Sequence, residues 1–226
     1  MKITFLGTGA ADWGINDKDS AGYNRFFSSA LINDDLLIDP GPHVFLSAEK
    51  HNIDLSGVKY IINTHPHSDH FNAETLKKLE NNGGVFYPLS ADECEKIGSY
   101  TISALFANHS TCERSVHFII EEDNKRIFYG LDSAWLMYRE VAAIKENGVD
   151  MAVLDATVGN IKGDFRIFEH NNLNMVKEMR ETLKPYVKNF VISHMARTLH
   201  EDHISLSNEM KECGFTTAFD GLVLEI

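Results

Sequence analysis

Basic residues are scarce in this chain: 21 lysines and arginines stand against 33 acidic residues, a formal net charge of −12. Nucleic-acid backbones are gripped by clustered cations. The deficit therefore disfavours nucleic acid and any large polyanion, but not a small phosphoester held by metal ions. Cysteine is rare as well. Cys94, Cys112 and Cys213 are odd in number and scattered, so they fit neither a disulfide framework nor a Cys-x-x-Cys site. They read as ordinary thiols in a reducing, cytoplasmic setting. No apolar run approaches the ~20 residues that span a bilayer, and no membrane partner is expected. Glycine interrupts the opening Met1–Leu6 stretch too soon for a signal peptide. Proline- or serine-rich linkers, repeats and low-complexity tracts are missing too, so residues 1–226 read as a single domain, long enough for one continuous core.

What is present is a mixture of strand-like and helical segments. Apolar runs at Ile3–Leu6, Phe26–Ile32, Leu36–Asp39 and Lys59–Asn63 read as strands. Further strands are expected at Tyr100–Phe106, Val116–Glu121, Arg126–Tyr129, Met151–Leu154, Phe190–Ser193, Phe215–Phe219 and Leu222–Ile226. Helical patterns cover Ala73–Asn81, Ser133–Asn147 with Gly148 as a stop, Leu173–Leu183 ahead of Pro185, and Glu201–Cys213. Ser90 followed by Glu93 has capping-box spacing and predicts a helix over Ala91–Ile97. Composition and periodicity go no further than a mixed α and β protein.

The most informative stretch is Thr64-His-Pro-His-Ser-Asp-His70, which follows the apolar Tyr60-Ile61-Ile62. His65, His67, Asp69 and His70 crowd one loop at the end of a strand. Imidazole and carboxylate side chains at that density are ligands for zinc, manganese or iron. Isolated candidates follow other apolar runs: His109 in ANHS, Asp132 in YGLDSAW and His194 in VISHMART.

Together these motifs resemble the metallo-β-lactamase fold superfamily, whose signature is His-x-His-x-Asp-His after a hydrophobic strand. The likeness runs from MKITFLGTGAA through LLIDPGPH to the later motifs. It implies an α/β (α+β) architecture, a four-layer αββα sandwich. It also implies two divalent metal ions, zinc or manganese, with iron as a further option. His65, His67 and His109 would hold the first; Asp69, His70 and His194 would hold the second; Asp132 would bridge them. A carboxylate bridge sets two cations ~3.5–4 Å apart, where a shared water becomes a nucleophile near neutral pH. Asp39 reads as the acceptor that orients a ligating imidazole.

Within that superfamily, His67 occupies a place where diiron redox members carry a carboxylate, and Asp132 separates the chain from true β-lactamases. Leu154-Asp155-Ala156-Thr157 and Phe168-Glu169-His170 are similar to paired motifs of ribonuclease Z and of phosphodiesterases that open phosphoribosyl cyclic phosphates. The expected catalytic groups are His170 as general acid, Asp155 as its orienter, and Asp69. His170 could also simply begin a helix, and Asp132 could cap one. Arg25, Arg197 and Asp220 are candidate substrate contacts, since guanidinium matches phosphate geometry; whether His200 or His203 reaches the site is left open. Two departures stand out. Residues 12–23 lack the cysteine cluster of the cyclic phosphodiesterases, and no segment matches the tRNA-gripping arm of ribonuclease Z. The expected activity is a dinuclear phosphodiesterase acting on a small or cyclic phosphoester. Alternatives are a lactone or thioester hydrolase and a non-catalytic metal-binding regulator. A homo-oligomer is compatible with all three.

Overall fold

The computed structural model describes residues 1–226. Two β-sheets face each other, and their strands alternate two apolar faces. The first sheet has the order β13-β1-β2-β3-β4-β5. Its strands are β1 (Lys2–Gly7), β2 (Ser29–Ile32), β3 (Leu36–Ile38), β4 (Tyr60–Ile62), β5 (Val85–Tyr87) and β13 (Val223–Glu225). The second has the order β12-β11-β10-β9-β8-β7-β6. It is built from β6 (Cys94–Ile97), β7 (Tyr100–Phe106), β8 (Val116–Glu122), β9 (Lys125–Gly130), β10 (Val149–Asp155), β11 (Val187–Ser193) and β12 (Phe215–Thr217).

The period-2 alternation of strand side chains sorts the core into layers. Ile3, Phe5, Ile32 and Ile38 of the first sheet interdigitate with Ile102, Phe118, Tyr129 and Val153 of the second. The intervening residues Leu31, Leu37 and Ile61 point outward, beneath α1 (Val44–His51) and α2 (Ala73–Asn81), whose Val44 and Leu79 cover them. On the far side, Phe128, Ala152, Leu154 and Ile192 meet Ile144 of α3 (Tyr138–Asn147), Val176 and Met179 of α4 (Leu173–Leu183), and Leu206 and Met210 of α5 (His203–Glu212). The result is the αββα sandwich. Strands apolar on both faces belong in such a doubly covered sheet. No helix is long and apolar enough to cross a membrane.

Several expected elements shift. Residues 94–97 form an antiparallel strand paired with β7 rather than a helix. Glu93 does accept from Ser90 N, but this closes a turn that leads into the sheet. The helix expected from Ser133 begins only at Tyr138, with Glu140 accepting from Met137 N at 2.7 Å. Ser133 instead accepts from Asn108 N at 3.1 Å, so neither it nor Asp132 caps a helix. His170 precedes α4, which Asn172 caps at Met175 N. Asp220-Gly221 carries the chain from β12 in one sheet to β13 in the other.

Arg25 and Asp220 also lie away from the expected phosphate edge, buried between the sheet and α5. Arg25 donates to Thr8 Oγ1 at 2.6 Å, to Ala218 O at 2.8 Å and to His203 Nδ1 at 2.9 Å. Asp220 accepts from Thr8 Oγ1 and from Phe26 N. Guanidinium has no acceptor, so His203 Nδ1 must be unprotonated, and His203 must be neutral when folded. Burial, assisted by the Arg25 charge, pushes its pKa down to about 4. The unfolded chain takes up this proton near pH 6.5, before the folded one does. The contribution is thus full above pH 6.5 and is lost as pH falls toward 4. Urea denaturation between pH 7 and 4 should show this loss, on the order of 1–3 kcal/mol. His203→Asn, which keeps an acceptor for Arg25 but does not titrate, should flatten the slope.

Candidate metal centre

The parallel pairing of β3 with β4, and of β9, β10 and β11 with one another, brings the carboxyl ends of these strands to one edge. Asp39 follows β3, His65–His70 follow β4, His109 follows β7, Asp132 follows β9, Asp155 ends β10 and His194 follows β11. Asp39, Asp132 and His194 adopt left-handed backbone, with φ of 61°, 53° and 62°. Non-glycine residues there are uncommon, though Asp and His tolerate the region best. Such conformations persist where surrounding structure enforces them, often at functional sites. Gly41 permits a close approach: a Cβ there would lie 2.4 Å from Asp69 O.

The donors form two adjoining groups, and Asp132 and His194 of the second also cluster with Asp155 and His170. His67 Nδ1 lies 3.0 Å from His65 Nε2 and 3.2 Å from His109 Nε2. Beside them, His70 Nε2 is 3.2 Å from His194 Nε2, 3.5 Å from Asp69 Oδ2 and 2.7 Å from Asp132 Oδ2. Asp132 belongs to both neighbourhoods, because its Oδ2 is also 3.1 Å from His65 Nε2. Within each group the ligand atoms lie no more than 4.8 Å apart.

The charge balance calls for cations. Asp39, Asp69, Asp132 and Asp155 are buried, and their ion-pair partners are histidines alone. Burial pushes His70 down, but Asp132, Asp69 and Asp39 outweigh it and hold its pKa well above the usual imidazole range. His194 is likewise raised to about 10: burial opposes this, and Asp132 leads the groups that impose it. Asp132 is held well below the carboxylate range despite burial, by His194 and His70. Its Oδ1 makes no hydrogen bond. Convergent imidazole nitrogens, an orphaned carboxylate oxygen and unmatched negative charge fit divalent cations.

Oxygens behind the imidazoles fix their orientation. Asp39 Oδ2 is 2.8 Å from His70 Nδ1, and Asp39 also accepts from Thr64 N, Thr64 Oγ1 and Asn63 Nδ2. Thr64 Oγ1 lies 3.0 Å from His65 Nδ1, and Thr157 Oγ1 lies 2.7 Å from His194 Nδ1. Each places the remaining nitrogen toward the ligand cluster. Asp155 accepts from Thr157 N, Thr157 Oγ1 and Asn171 N, and its Oδ2 is 3.1 Å from His170 Nδ1. Burial tends to lower the pKa of His170, but Asp155 prevails and raises it.

A cleft of about 420 Å³ opens over this cluster, with His170, Thr157, Arg166 and Glu169 on its walls and Ala10, Ala196, Leu199 and Phe165 at its apolar rim. A larger opening, about 590 Å³, lies at the opposite strand ends and contains no histidine. Arg25 and Asp220 do not line the cleft. Arg197 does not either: its Nε pairs with Asp17 Oδ2 at 3.0 Å. His200 is turned to Ala156 O at 2.8 Å. The cation that does face the cleft is Arg166, on the 3₁₀ turn Phe165–Phe168, where it forks onto Asp164. Arg166 lies in no motif, and Glu169 enters the sequence motifs only as the neighbour of His170.

This architecture and site define the metallo-β-lactamase fold, and residues 28–128 match the metallo-beta-lactamase superfamily. The chain therefore has a metallo-β-lactamase fold with candidate metal-binding residues. No curated protein matches the sequence. Among solved structures, it is similar to Zn(2+)-bound PqqB from Methylobacterium extorquens, with a TM-score of 0.77 and 17% identity over 100% of both chains. A diphosphatase from the PhnP family aligns with a TM-score of 0.73 and 18% identity, covering 100% of this chain and 97% of the other. Human tRNase Z, short form, gives 0.72 and 17%, covering 100% of this chain and 99% of the other.

Asp39→Ala should expose how much the outer oxygens contribute. It removes the acceptor on His70 and strands the Thr64 and Asn63 donors in the interior. Competitive zinc titration of metal-stripped protein is expected to show affinity reduced about 10–100-fold. Urea denaturation should show a loss of roughly 1–3 kcal/mol.

Proposed function

We propose that the protein is a dinuclear metal-dependent hydrolase acting on a small phosphoester. One observation carries this reading: Asp132, a member of the second ligand group, also lies 3.1 Å from His65 of the first, and His170 stands beside them on the cleft wall. Two divalent cations, when bound, supply Lewis acidity that activates water and offsets the charge of an attacked phosphoester.

The chain's own residues account for the rest. Asp155 accepts from His170 Nδ1 and holds the ring, stacked on His194 with centroids 5.6 Å apart. His170 Nε2 has no partner within the protein and is available to give a proton to a departing alkoxide. Arg166 offers the cleft its one guanidinium for a non-bridging phosphate oxygen. Asp69 serves as ligand and faces the cleft beside Asp132. Similarity to a PhnP-family diphosphatase and to tRNase Z favours a phosphoester over other substrates. The acidic balance of the chain favours a small one. The apolar rim of Ala10, Ala196, Leu199 and Phe165 also suits an acyl group, so a lactone or thioester is the competing substrate. Binding without turnover leaves the placement of His170 unused.

Protein loaded with zinc or manganese should hydrolyse bis(p-nitrophenyl) phosphate faster than simple lactones. The opposite order would shift the assignment to acyl chemistry. His170→Ala is expected to lower kcat about 10²–10⁴-fold while elemental analysis still finds two metals per chain. Arg166→Ala should instead act mainly on KM, raising it about tenfold, the scale of one charge-assisted hydrogen bond.

A further inference from the structure

The residue before His170 faces the other way. Glu169 reaches across the cleft wall to the loop that carries His109. Its carboxylate accepts from Ser110 Oγ at 2.6 Å, from Thr111 N at 3.2 Å and from Thr111 Oγ1 at 3.2 Å. Its Oε2 also lies 3.1 Å from His109 Nδ1. His109 Nδ1 is buried and has no hydrogen-bond partner of good geometry, so this carboxylate oxygen is the acceptor within reach.

The other imidazoles show why this matters. His65, His70 and His194 each have an oxygen behind the ring, from Thr64, Asp39 and Thr157 respectively. Those oxygens come from residues adjoining the strand ends. His109 sits in a loop with no such neighbour, and its second nitrogen meets Glu169, at the end of the 3₁₀ turn.

We propose that Glu169 is the positioning residue of the first ligand group: it orients His109 through Nδ1 and clamps the Ser110–Thr111 loop, so that Nε2 is presented to the cation. Glu169 and His170 then divide the work of one short segment. The first secures the His65–His67–His109 group, the second engages Asp155 beside the other group. This rests on the two-cation reading above. It adds that the turn carrying Arg166 and Phe165 is tied to the metal-binding loop through a single carboxylate.

The test is zinc titration of metal-stripped full-length protein against a competing chelator, which resolves the two equivalents without any substrate. In Glu169→Ala one equivalent should weaken about 10–100-fold and the other should be nearly unchanged. Glu169→Gln keeps acceptor capacity toward Ser110 and Thr111 but loses charge, and should fall between Glu169→Ala and the parent. Cobalt-loaded protein supplies a second readout, because a misoriented His109 alters the visible absorption of one ion only. Two unaltered equivalents in Glu169→Ala, or an equal loss at both, would overturn the assignment. If Glu169→Ala does not fold, Glu169→Gln decides by the same criterion. Failure of the parent protein to bind two zinc ions would overturn the dinuclear reading itself, a result distinct from either.

Discussion

The rest of the site depends on a carboxylate with nowhere to dissipate its charge. Asp132 is enclosed by His65, His70, His170 and His194, with no lysine or arginine paired to it. An isolated charge in such surroundings is costly, so it must be compensated by groups at contact distance. Histidine is the side chain suited to that task. It shares charge when protonated and donates a lone pair when neutral. The same ring set can therefore meet that charge with protons or with metal ions.

Those strands do the positioning. Parallel neighbours release their side chains at a common edge, as in open α/β sheets, where ligands gather outside the carboxyl ends. The left-handed backbone at Asp39, Asp132 and His194 turns the chain abruptly at the point where each strand ends. The loops need no regular structure of their own, because hydrogen bonds between them replace it. Ala10 N donates to Met195 O, and Met195 N donates to Thr8 O, which seats the glycine-rich first loop against the loop of His194.

Much of the candidate site is legible in the sequence because the candidate ligands are local signals: four lie in one heptapeptide, and each of the others follows an apolar run. The layers were legible through the family resemblance rather than through periodicity. Short segments were not. Residues 94–97 carry a helical start signal but pair with Tyr100–Ser103, and pairing overrides a weak local preference. Helix α1 lacks a side-chain cap and was not anticipated. Arg25 and Asp220 carry chemistry suited to phosphate, yet the sequence does not reveal that both are enclosed behind Thr8. Glu169 is the converse case: it sits beside His170 in the sequence, but its partners lie in a distant loop that nothing in its neighbours announces.

One consequence concerns cohesion of the sandwich. His65, His67, Asp69 and His70 issue from the first sheet, whereas His109, Asp132 and His194 issue from the second. Cations seated at this edge would act as rivets through both leaves. Because they would bind the assembled pair and not the separated leaves, they would stabilise the whole molecule by mass action. Chelation should then unfasten the sandwich from this rim inward, with Val116 N and Thr64 O among the first partners to separate.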